Sequence, residues 1–482
     1  MDLIEGMLKK QTVLNSKGGE YYNSTYNDNL DLFSGVNRYT DTNKMIKIFK
    51  NAFNEDKNLA TANLLYFLDI RNGKGERKVF KTLFKELCSL DKEYAIIVLN
   101  NISKLGRYDY ILEALETPLK ENVLNLIHEQ LKEDMISENP SLLAKWLPSI
   151  KRHGKRDMKA VQLVKELEFR SEANYRKFLK ILRDKIKIVE HNLSNKDYDI
   201  DFEKVPTKAM LKYRKAFSNH CKDKYSDYLQ KADKGEAKVN TKGLYCYDII
   251  NKIYCRSHFT EEERHLYNAM WEQQKDILAG NNSNILVMAD TSGSMTWEKN
   301  AIETSIGLAI YMAERNHGIF KDYYMTFSSR PLLQKIKGVD IVDKVQNVEC
   351  IVDNTDIDKA FKLLLETCVE NALSQEDIPS HIIIISDMEF DRGVYSEHGT
   401  NFEGWKKAFK DAGYKLPQIV FWNLGVRGFP VTKFDEDVCI INGFSTSIFE
   451  NLLDLEHFTP VGVMMSTLKK YIEIIEKSKE KI

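Results

Sequence analysis

The spacing of apolar residues changes near residue 283, and this change constrains the fold more than any other feature of the chain. From about residue 40 to 275, apolar residues recur roughly every 3.6 positions in segments such as ATANLLYFLDI and NYRKFLKILRDKI, which predicts amphipathic helices. After residue 283, continuous apolar runs such as NILVMAD and HIIIISD alternate with helical segments. Such runs are typical of strands buried on both faces of a parallel sheet.

The change in apolar spacing predicts two domains. We expect an α-helical repeat, as a HEAT-like solenoid or ring, over residues 1–280, with a simple helical bundle as the alternative. This domain includes a polar, lysine-rich connecting segment at about 190–250, predicted to form loops and one helix. Residues 281–482 are predicted to form an α/β doubly wound, Rossmann-like domain. Helices are also predicted over YILEALE, SLLAKWLPSI and STSIFENLLDL.

The cysteine content and the lack of long apolar runs bear on the cellular compartment of the protein, whereas its net charge indicates no partner. Seventy Lys and Arg residues nearly balance 71 Asp and Glu residues. The seven cysteines form no CxxC pair, which favours reduced thiols and a cytoplasmic location. The sequence has no long apolar run, so we expect neither a signal peptide nor a membrane span. We expect a monomer.

The segment DTSGS directly follows the first apolar strand and is a candidate metal-binding turn. Asp290, Ser292 and Ser294 can converge at positions i, i+2 and i+4, and their hard oxygen donors suit Mg²⁺ or Mn²⁺. Asp387 ends a second apolar strand, and ligands of open α/β sheets bind beyond such strand ends. The alternative is that DTSGS only caps a helix. Glu389 and Asp391 follow Asp387 and could join the metal shell, but we interpret them as a solvated acidic loop.

This constellation resembles the metal-ion-dependent adhesion site (MIDAS) of von Willebrand factor A domains. In that family a Thr and an Asp from two further loops complete the site, and Thr355 and Asp387 match them in order. The resemblance implies that Ser292 and Ser294 bind the metal directly and that Thr355 does so directly or through water. Asp290 and Asp387 would hold coordinating waters. One position would stay open for a carboxylate or phosphate of a partner.

Positive charge is concentrated between residues 145 and 187. Fourteen basic and five acidic residues give this stretch a net charge of +9, from 14 − 5, in a chain of net charge −1. Such a concentration favours binding to the phosphates of RNA or of another single-stranded nucleic acid. The alternative is a solvated face matched by an acidic partner. The candidate RNA-binding residues are Lys145, Lys151, Arg152, Lys155, Arg156, Arg176, Lys180, Arg183 and Lys187, of which the last four form one helical stripe.

Six phrases in the helical half carry a second resemblance: NDNLDLF, FLDIRNGKGER, LGRYDY, LLAKWLPSIKRHG, YRKFLKILRDKI and VPTKAMLKYRKAF. Their order resembles an uncharacterised family that joins a helical region to a von Willebrand A-like domain. This architecture is similar to that of the Ro autoantigen, or TROVE-module, proteins. In those proteins a helical ring binds the 3′ ends of misfolded RNAs in its hole and structured small RNAs on its basic outer face. The resemblance implies an RNA partner.

The leading hypothesis is a non-enzymatic, Ro-type RNA-binding scaffold with a Mg²⁺-dependent docking site. The alternative is a protein–protein adaptor whose metal site captures an acidic residue of a partner such as a chaperone ATPase. Catalysis is not expected, because Ser292 has no evident His partner and RNGKGERK lacks a phosphate-loop pattern. Metal-assisted phosphodiester cleavage is a third hypothesis, which is disfavoured because the site lacks the carboxylate cluster typical of two-metal nucleases. We interpret FLDIRNGKGER as a buried ion-pair hinge, although its basic residues could instead line a phosphate path.

Overall fold

The computed structural model describes residues 3–152, 154–186, 188–327, 330–349, 355–391, 400–449, 452 and 458–480. Its first 272 residues are mainly helical. The helices are Leu3–Leu8 (α1), Asp28–Gly35 (α2), Thr42–Glu55 (α3), Lys57–Leu68 (α4), Arg77–Leu90 (α5), Lys92–Leu105 (α6), Lys120–Ile136 (α7), Leu143–Trp146 (α8), Met158–Glu166 (α9), Glu172–Ile186 (α10), Val189–Ser194 (α11), Thr207–His220 (α12), Lys222–Asp233 (α13), Cys246–Ile253 (α14) and Glu261–Glu272 (α15). Two short hairpins pair Val13–Leu14 (β1) with Glu20–Tyr21 (β2) and Lys151–Arg152 (β3) with Lys155–Arg156 (β4).

Aspartates separate the first helices of this region. Asp41, Asp56 and Asp91 each accept backbone N–H bonds of the helix that follows, and Asp56 and Asp91 also end the helix before them. Such N-caps satisfy donors that a helix leaves unpaired in its first turn. The apolar residues of α3 lie on one buried face, as their spacing predicts. The helical segments predicted over α3 to α7 are therefore present, although YILEALE begins within a 3₁₀ helix at Tyr108–Ala114.

The second domain contains a six-stranded sheet between helices. Its strands are Ile285–Ala289 (β5), Tyr323–Thr326 (β6), Leu332–Lys335 (β7), His381–Ser386 (β8), Gln418–Asn423 (β9) and Val438–Asn442 (β10), and its helices are Ala301–Arg315 (α16), Ile341–Gln346 (α17), Ile357–Glu370 (α18), Asn401–Asp411 (α19) and Pro460–Lys479 (α20). The strand order is β10-β9-β8-β5-β6-β7. Five strands are parallel, as predicted, but β7 runs antiparallel to β6, so the sheet is mixed.

A different pair of helices packs on each face of the sheet. Alternate residues of β5, β8, β9 and β10 pack with α18 and α19, while the residues between them pack with α16 and α20. The core between the sheet and helices α16 and α20 is continuous with the core of the helical region. The two domains therefore share one hydrophobic core on one side of the sheet.

The N-terminal segment contacts the α/β domain, and the C-terminal helix contacts the helical region. In the N-terminal hairpin, Tyr22 forms backbone hydrogen bonds with Phe429, and Gly18 bridges to Asp391. At the other end, α20 packs on α4, where Tyr471 donates a 3.0 Å hydrogen bond to Asp69. Helices α2 and α14 contact β10 and α16, so the beginning and the end of the helical region meet at the α/β domain.

The bounds of three predicted helices differ from those observed. The segment at 190–250 contributes buried aromatic residues such as Phe202, Phe217 and Tyr225 to the core. Its predicted single helix is divided at Cys221 into α12 and α13. In SLLAKWLPSI only the four residues of α8 are helical. STSIFENLLDL contains a 3₁₀ helix at Thr446–Phe449, and most of the remainder lies outside the described residues.

The RNGKGER turn joins several parts of the molecule. Lys74 is fully buried, and its ammonium donates a hydrogen bond to the carbonyl of Phe33. The buried carboxylate of Glu76 pairs with Arg38 at 2.7 Å. This pair supports the ion-pair interpretation of the motif. None of the helices in the described ranges is long and apolar enough to cross a membrane.

Candidate metal centre and basic surface

The candidate metal ligands lie beyond the carboxyl ends of two neighbouring strands. Because β5 and β8 pair in parallel with Ala289 opposite Ile385, the loops that follow them lie side by side. Asp290 is fully buried between these loops. Its carboxylate accepts a 2.6 Å hydrogen bond from the hydroxyl of Ser386 and a 2.8 Å bond from the N–H of Ser292. The strand pairing thus fixes the position of Asp290.

Two serine hydroxyls of the DTSGS turn face each other. The Oγ atoms of Ser292 and Ser294 are 3.0 Å apart, and Ser294 lies in a 3₁₀ turn that begins at Gly293. A hydrogen bond from Ser294 lowers the pKa of Asp387, although burial raises that pKa by more. The turn and the loop after β8 therefore face a common point.

Thr355 joins the same group of residues. It is fully buried, and its carbonyl accepts a 3.2 Å hydrogen bond from the N–H of Asp391 in the loop after β8. The five residues predicted as a metal site, Asp290, Ser292, Ser294, Thr355 and Asp387, thus lie in three loops at one end of the sheet.

Buried carboxylates concentrate negative charge at this end of the sheet. The Oδ2 atom of Asp387 and the Oε2 atom of Glu298 are buried, and neither has a hydrogen-bond partner among the described residues. Burial, and then the charge of Asp387, raise the pKa of Glu298 to about 7 and also raise the pKa of Asp290. These groups would all gain from a cation bound between them.

The donor set fits a hard divalent ion. In the ranges that the structure describes, no three His, Cys, Asp or Glu side chains converge as metal ligands. A cation here would therefore be held by hydroxyls together with carboxylates or their bound waters. Such oxygen ligands suit Mg²⁺ or Mn²⁺ better than Zn²⁺. Ser292, Ser294 and Thr355 would be its hydroxyl ligands.

Sequence patterns did not indicate that the N-terminal hairpin contacts this site. The ammonium of Lys17 donates a hydrogen bond to the hydroxyl of Thr355, and Ser16 donates a 2.6 Å bond to Glu389. Glu389 also pairs with Arg427, and it is only 7% exposed, so its interpretation as part of a solvated loop is wrong. No periodicity in the sequence relates residue 17 to residue 355. The turn-forming sequence NSKGG, with its single lysine, was the available signal.

The basic stretch forms an exposed surface on the helical region. Lys151, Lys155 and Arg156 are exposed on the β3–β4 hairpin, and Arg176 and Lys180 are exposed on α10. Arg156 pairs with Glu172 in the first turn of α10, which brings the hairpin beside the helix. We call these five residues the basic surface.

The remaining candidate RNA-binding residues differ in their surroundings. Arg183 donates to the carbonyls of Ala144 and Leu147, both at 2.9 Å, and burial lowers its pKa. Lys145 is half-buried and lies 3.6 Å from Glu190. These two side chains are thus engaged within the chain. The side chain of Arg152 and the whole of Lys187 lie outside the described residues.

Comparison with family models matches two domains of unknown function. Residues 117–281 match DUF2828, and residues 284–481 match DUF7788. Each match covers less than half of the chain. Neither description names a von Willebrand factor A or Ro family, so those resemblances stay expectations.

One curated relative and one solved structure are also similar to this chain. The chain is 28% identical over 506 residues to an uncharacterised protein of Acanthamoeba polyphaga mimivirus, with 94% of this chain and 87% of the relative covered. The crystal structure of the Ro protein (RSR) of Deinococcus radiodurans aligns over 88% of this chain and 91% of its own, at 11% identity and a TM-score of 0.37. At this identity and TM-score, the similarity to the Ro protein supports no conclusion about the fold or function of this chain.

Proposed function

We propose that the protein is a non-enzymatic RNA-binding scaffold with a Mg²⁺-dependent docking site. Its helical region binds structured or misfolded RNA through the basic surface. Its α/β domain holds the metal ion at the end of the sheet and offers an open coordination position to a partner.

The exposed cations of the hairpin and α10 are the observation that carries the RNA proposal. In the described part of the chain, Lys151, Lys155, Arg176 and Lys180 take part in no ion pair, so their charge is not matched internally. Ordered secondary structure holds them, which limits the entropy lost on binding. Such exposed cations can replace the counterions of an RNA backbone.

Fluorescence anisotropy with a labelled RNA hairpin that has a single-stranded 3′ tail tests this surface. We expect the variant Lys151→Gln/Lys155→Gln/Arg176→Gln/Lys180→Gln to bind at least tenfold more weakly than the wild type. The slope of log affinity against log salt should fall by roughly 3, or about 0.7 for each lost phosphate contact.

A matched variant separates this surface from net charge. Lys132→Gln/Lys362→Gln/Lys407→Gln/Lys410→Gln removes four exposed helical lysines elsewhere in the chain. It should retain most of the affinity. Equal losses in the two variants, or no binding by the wild type, would contradict the RNA proposal.

The metal proposal depends on the buried, unpaired oxygen of Asp387 beside the serine hydroxyls. When bound, Mg²⁺ would supply Lewis acidity for an anionic ligand of a partner. Isothermal titration with Mn²⁺ should show one site in the wild type and none in Ser294→Ala or Thr355→Ala. Thr296→Ala removes an exposed hydroxyl of the same loop and should bind normally. Equal Mn²⁺ binding by all four proteins would overturn the metal proposal.

Trp297 favours the adaptor alternative at the same site. Its side chain is 87% exposed, and it lies three residues after Ser294. A large exposed aromatic residue beside an open metal position could anchor a protein partner that provides an acidic ligand. An adaptor predicts a partner that is lost in both Trp297→Ala and Ser294→Ala, whereas RNA binding by the basic surface should be unchanged in both.

A further inference from the structure

The turn of the N-terminal hairpin lies against the proposed metal site. It comprises residues 15–19, between β1 and β2, and we call it the hairpin tip. The ammonium of Lys17 donates a hydrogen bond to the hydroxyl of Thr355, which the proposed site would use as a metal ligand. Burial raises the pKa of Asp387, and the charge of Lys17 is among those that oppose this rise. Lys17 thus supplies positive charge beside the place where a divalent ion would bind.

Polar contacts hold the hairpin tip against the loop after β8. Asn15 donates a 2.8 Å hydrogen bond to the carbonyl of Phe390, and Ser16 donates a 2.6 Å bond to Glu389. Within the tip only Gly19 is buried, and the other four residues are exposed or half-buried. The tip has no large apolar side chain to bury. A segment with so few apolar contacts can separate locally from a protein that otherwise stays folded.

The base of the hairpin is attached more firmly than its tip. Tyr22 is 1% exposed and packs in the core on the α18 and α19 side of the sheet. Its backbone N–H and C=O groups both form 2.8 Å hydrogen bonds with Phe429. Before β1, Lys9 pairs with the carboxylate of Asp435. The tip can therefore leave the site while the base of the hairpin stays bound to the α/β domain.

A cleft of about 700 Å³ borders the hairpin tip. Asn15 and Ser16 line it together with Lys44 and Lys47 of α3 and with Arg427. The tip is therefore not enclosed on this side. It has space to move without displacing another helix or strand.

We propose that the hairpin tip is an internal competitor of the metal ion and regulates access to the docking site. Without a metal, Lys17 supplies the charge that the buried carboxylates attract, and the tip blocks the approach of a partner. On binding of a divalent ion, Thr355 exchanges the ammonium for the metal, and the tip moves into the adjoining cleft. Metal binding and the seated tip thus oppose each other. This inference rests on the proposed metal site and not on RNA binding.

Cleavage by trypsin after Lys17 reports the position of the tip, because trypsin must take up the side chain of that lysine. In the seated tip Thr355 engages the ammonium, so cleavage should be slow. We expect saturating Mn²⁺ to raise the initial rate of cleavage after Lys17, followed by mass spectrometry, about fivefold or more. Cleavage after Lys10, an exposed residue of the same segment, should not change.

Three variants separate the tip from the metal site. Ser294→Ala should bind no Mn²⁺, and its cleavage after Lys17 should stay slow when the ion is added. In Gly19→Ala a Cβ atom would lie 2.4 Å from the carbonyl oxygen of Phe390, so the tip cannot seat. This variant should be cleaved rapidly without Mn²⁺ and bind the ion about fivefold more tightly than the wild type. Gln11→Ala changes an exposed side chain of the same segment and should behave as the wild type.

Isothermal titration of the same proteins with Mn²⁺ distinguishes the possible failures. If the wild type binds Mn²⁺ but its cleavage after Lys17 is not accelerated, the hairpin tip does not compete with the metal. The same conclusion follows if Gly19→Ala binds Mn²⁺ no more tightly than Gln11→Ala. If the wild type binds no Mn²⁺, the metal proposal fails, and this inference fails with it.

Discussion

Lys17 places an ammonium group against Thr355, one of the proposed metal ligands. Burial raises the pKa of Asp387, while the charges of Arg427 and Lys17 oppose that rise. The N-terminal hairpin thus supplies positive charge to a cluster of buried carboxylates. A divalent ion and Lys17 would compete for the same hydroxyl and the same negative potential.

We expect Lys17→Met to strengthen Mn²⁺ binding about five- to tenfold, because the variant removes both the repulsion and the competing hydrogen bond. Isothermal titration at low ionic strength measures the change. Lys10→Met removes an exposed cation of the same terminal segment and should leave the affinity unchanged. Equal Mn²⁺ binding by Lys17→Met would show that Lys17 does not compete with the metal, and weaker binding would show that Lys17 supports the site.

Site residues that directly follow strands could be predicted from the sequence, whereas site residues from distant segments could not. Asp290 and Asp387 could be placed together because parallel strands end at one edge of a sheet. Lys17 and Arg427 reach the same point from segments without a periodic pattern. Whether the three loops hold a metal stays a prediction.

The basic residues of helix α10 that form one stripe in the sequence have different surroundings in the structure. Arg176 and Lys180 are exposed, but Arg183, one turn after Lys180, points towards α8. Helix α8 ends at Trp146 because Pro148 restricts Leu147 to an extended conformation, with ψ at 139°. The guanidinium of Arg183 then donates to two carbonyls of this segment and to the hydroxyl of Ser149.

We expect Arg183→Met to lower the free energy of unfolding by about 2–4 kcal/mol, because three acceptors lose a charged donor. Urea denaturation followed by circular dichroism measures it. Lys180→Met, on the exposed face of the same helix, should change stability by less than about 0.5 kcal/mol. Equal stability of the two variants would show that the contacts of Arg183 contribute little.

The elements that sequence patterns missed are short or lack a clear period. Strand β7 has four residues, and its one buried residue is the polar Gln334, which bonds to Tyr324. No apolar alternation could reveal such an edge strand. The brevity of α8 was predictable from Pro148, whereas the break at Cys221 between α12 and α13 coincides with no Pro or Gly.

For the whole molecule, contacts between distant segments decide how the two domains fit together. Asp69 meets Tyr471 across 402 positions of sequence, and the N-terminal hairpin meets the loop at Phe429. The change from a helical region to an α/β region could be expected from the change in apolar spacing. The crossing of both termini could not, because no pattern within either segment identifies the distant surface that it packs against.

Lys74 lies at the centre of this junction. Its stem packs near Gly443 of the α/β domain, and its ammonium lies 4.9 Å from the centre of the Phe67 ring. Burial lowers the pKa of Lys74 to about 7, although the nearby carboxylate of Glu76 opposes the shift. In the unfolded chain the pKa of Lys74 returns to its ordinary value of 10.5. Between these two values the unfolded state binds more protons, so stability should rise with pH.

We therefore expect the free energy of unfolding of the wild type to rise by about 2 kcal/mol more between pH 7 and pH 9 than that of Lys74→Met. Urea denaturation at several pH values in this range measures the difference, because other groups that titrate near pH 7, such as Glu298, contribute equally to both proteins. Lys78→Met, which replaces an exposed lysine one turn further on, should follow the wild type. If wild type and Lys74→Met instead show the same pH dependence, Lys74 keeps its proton in the folded state, held by the Phe33 carbonyl and the surrounding rings.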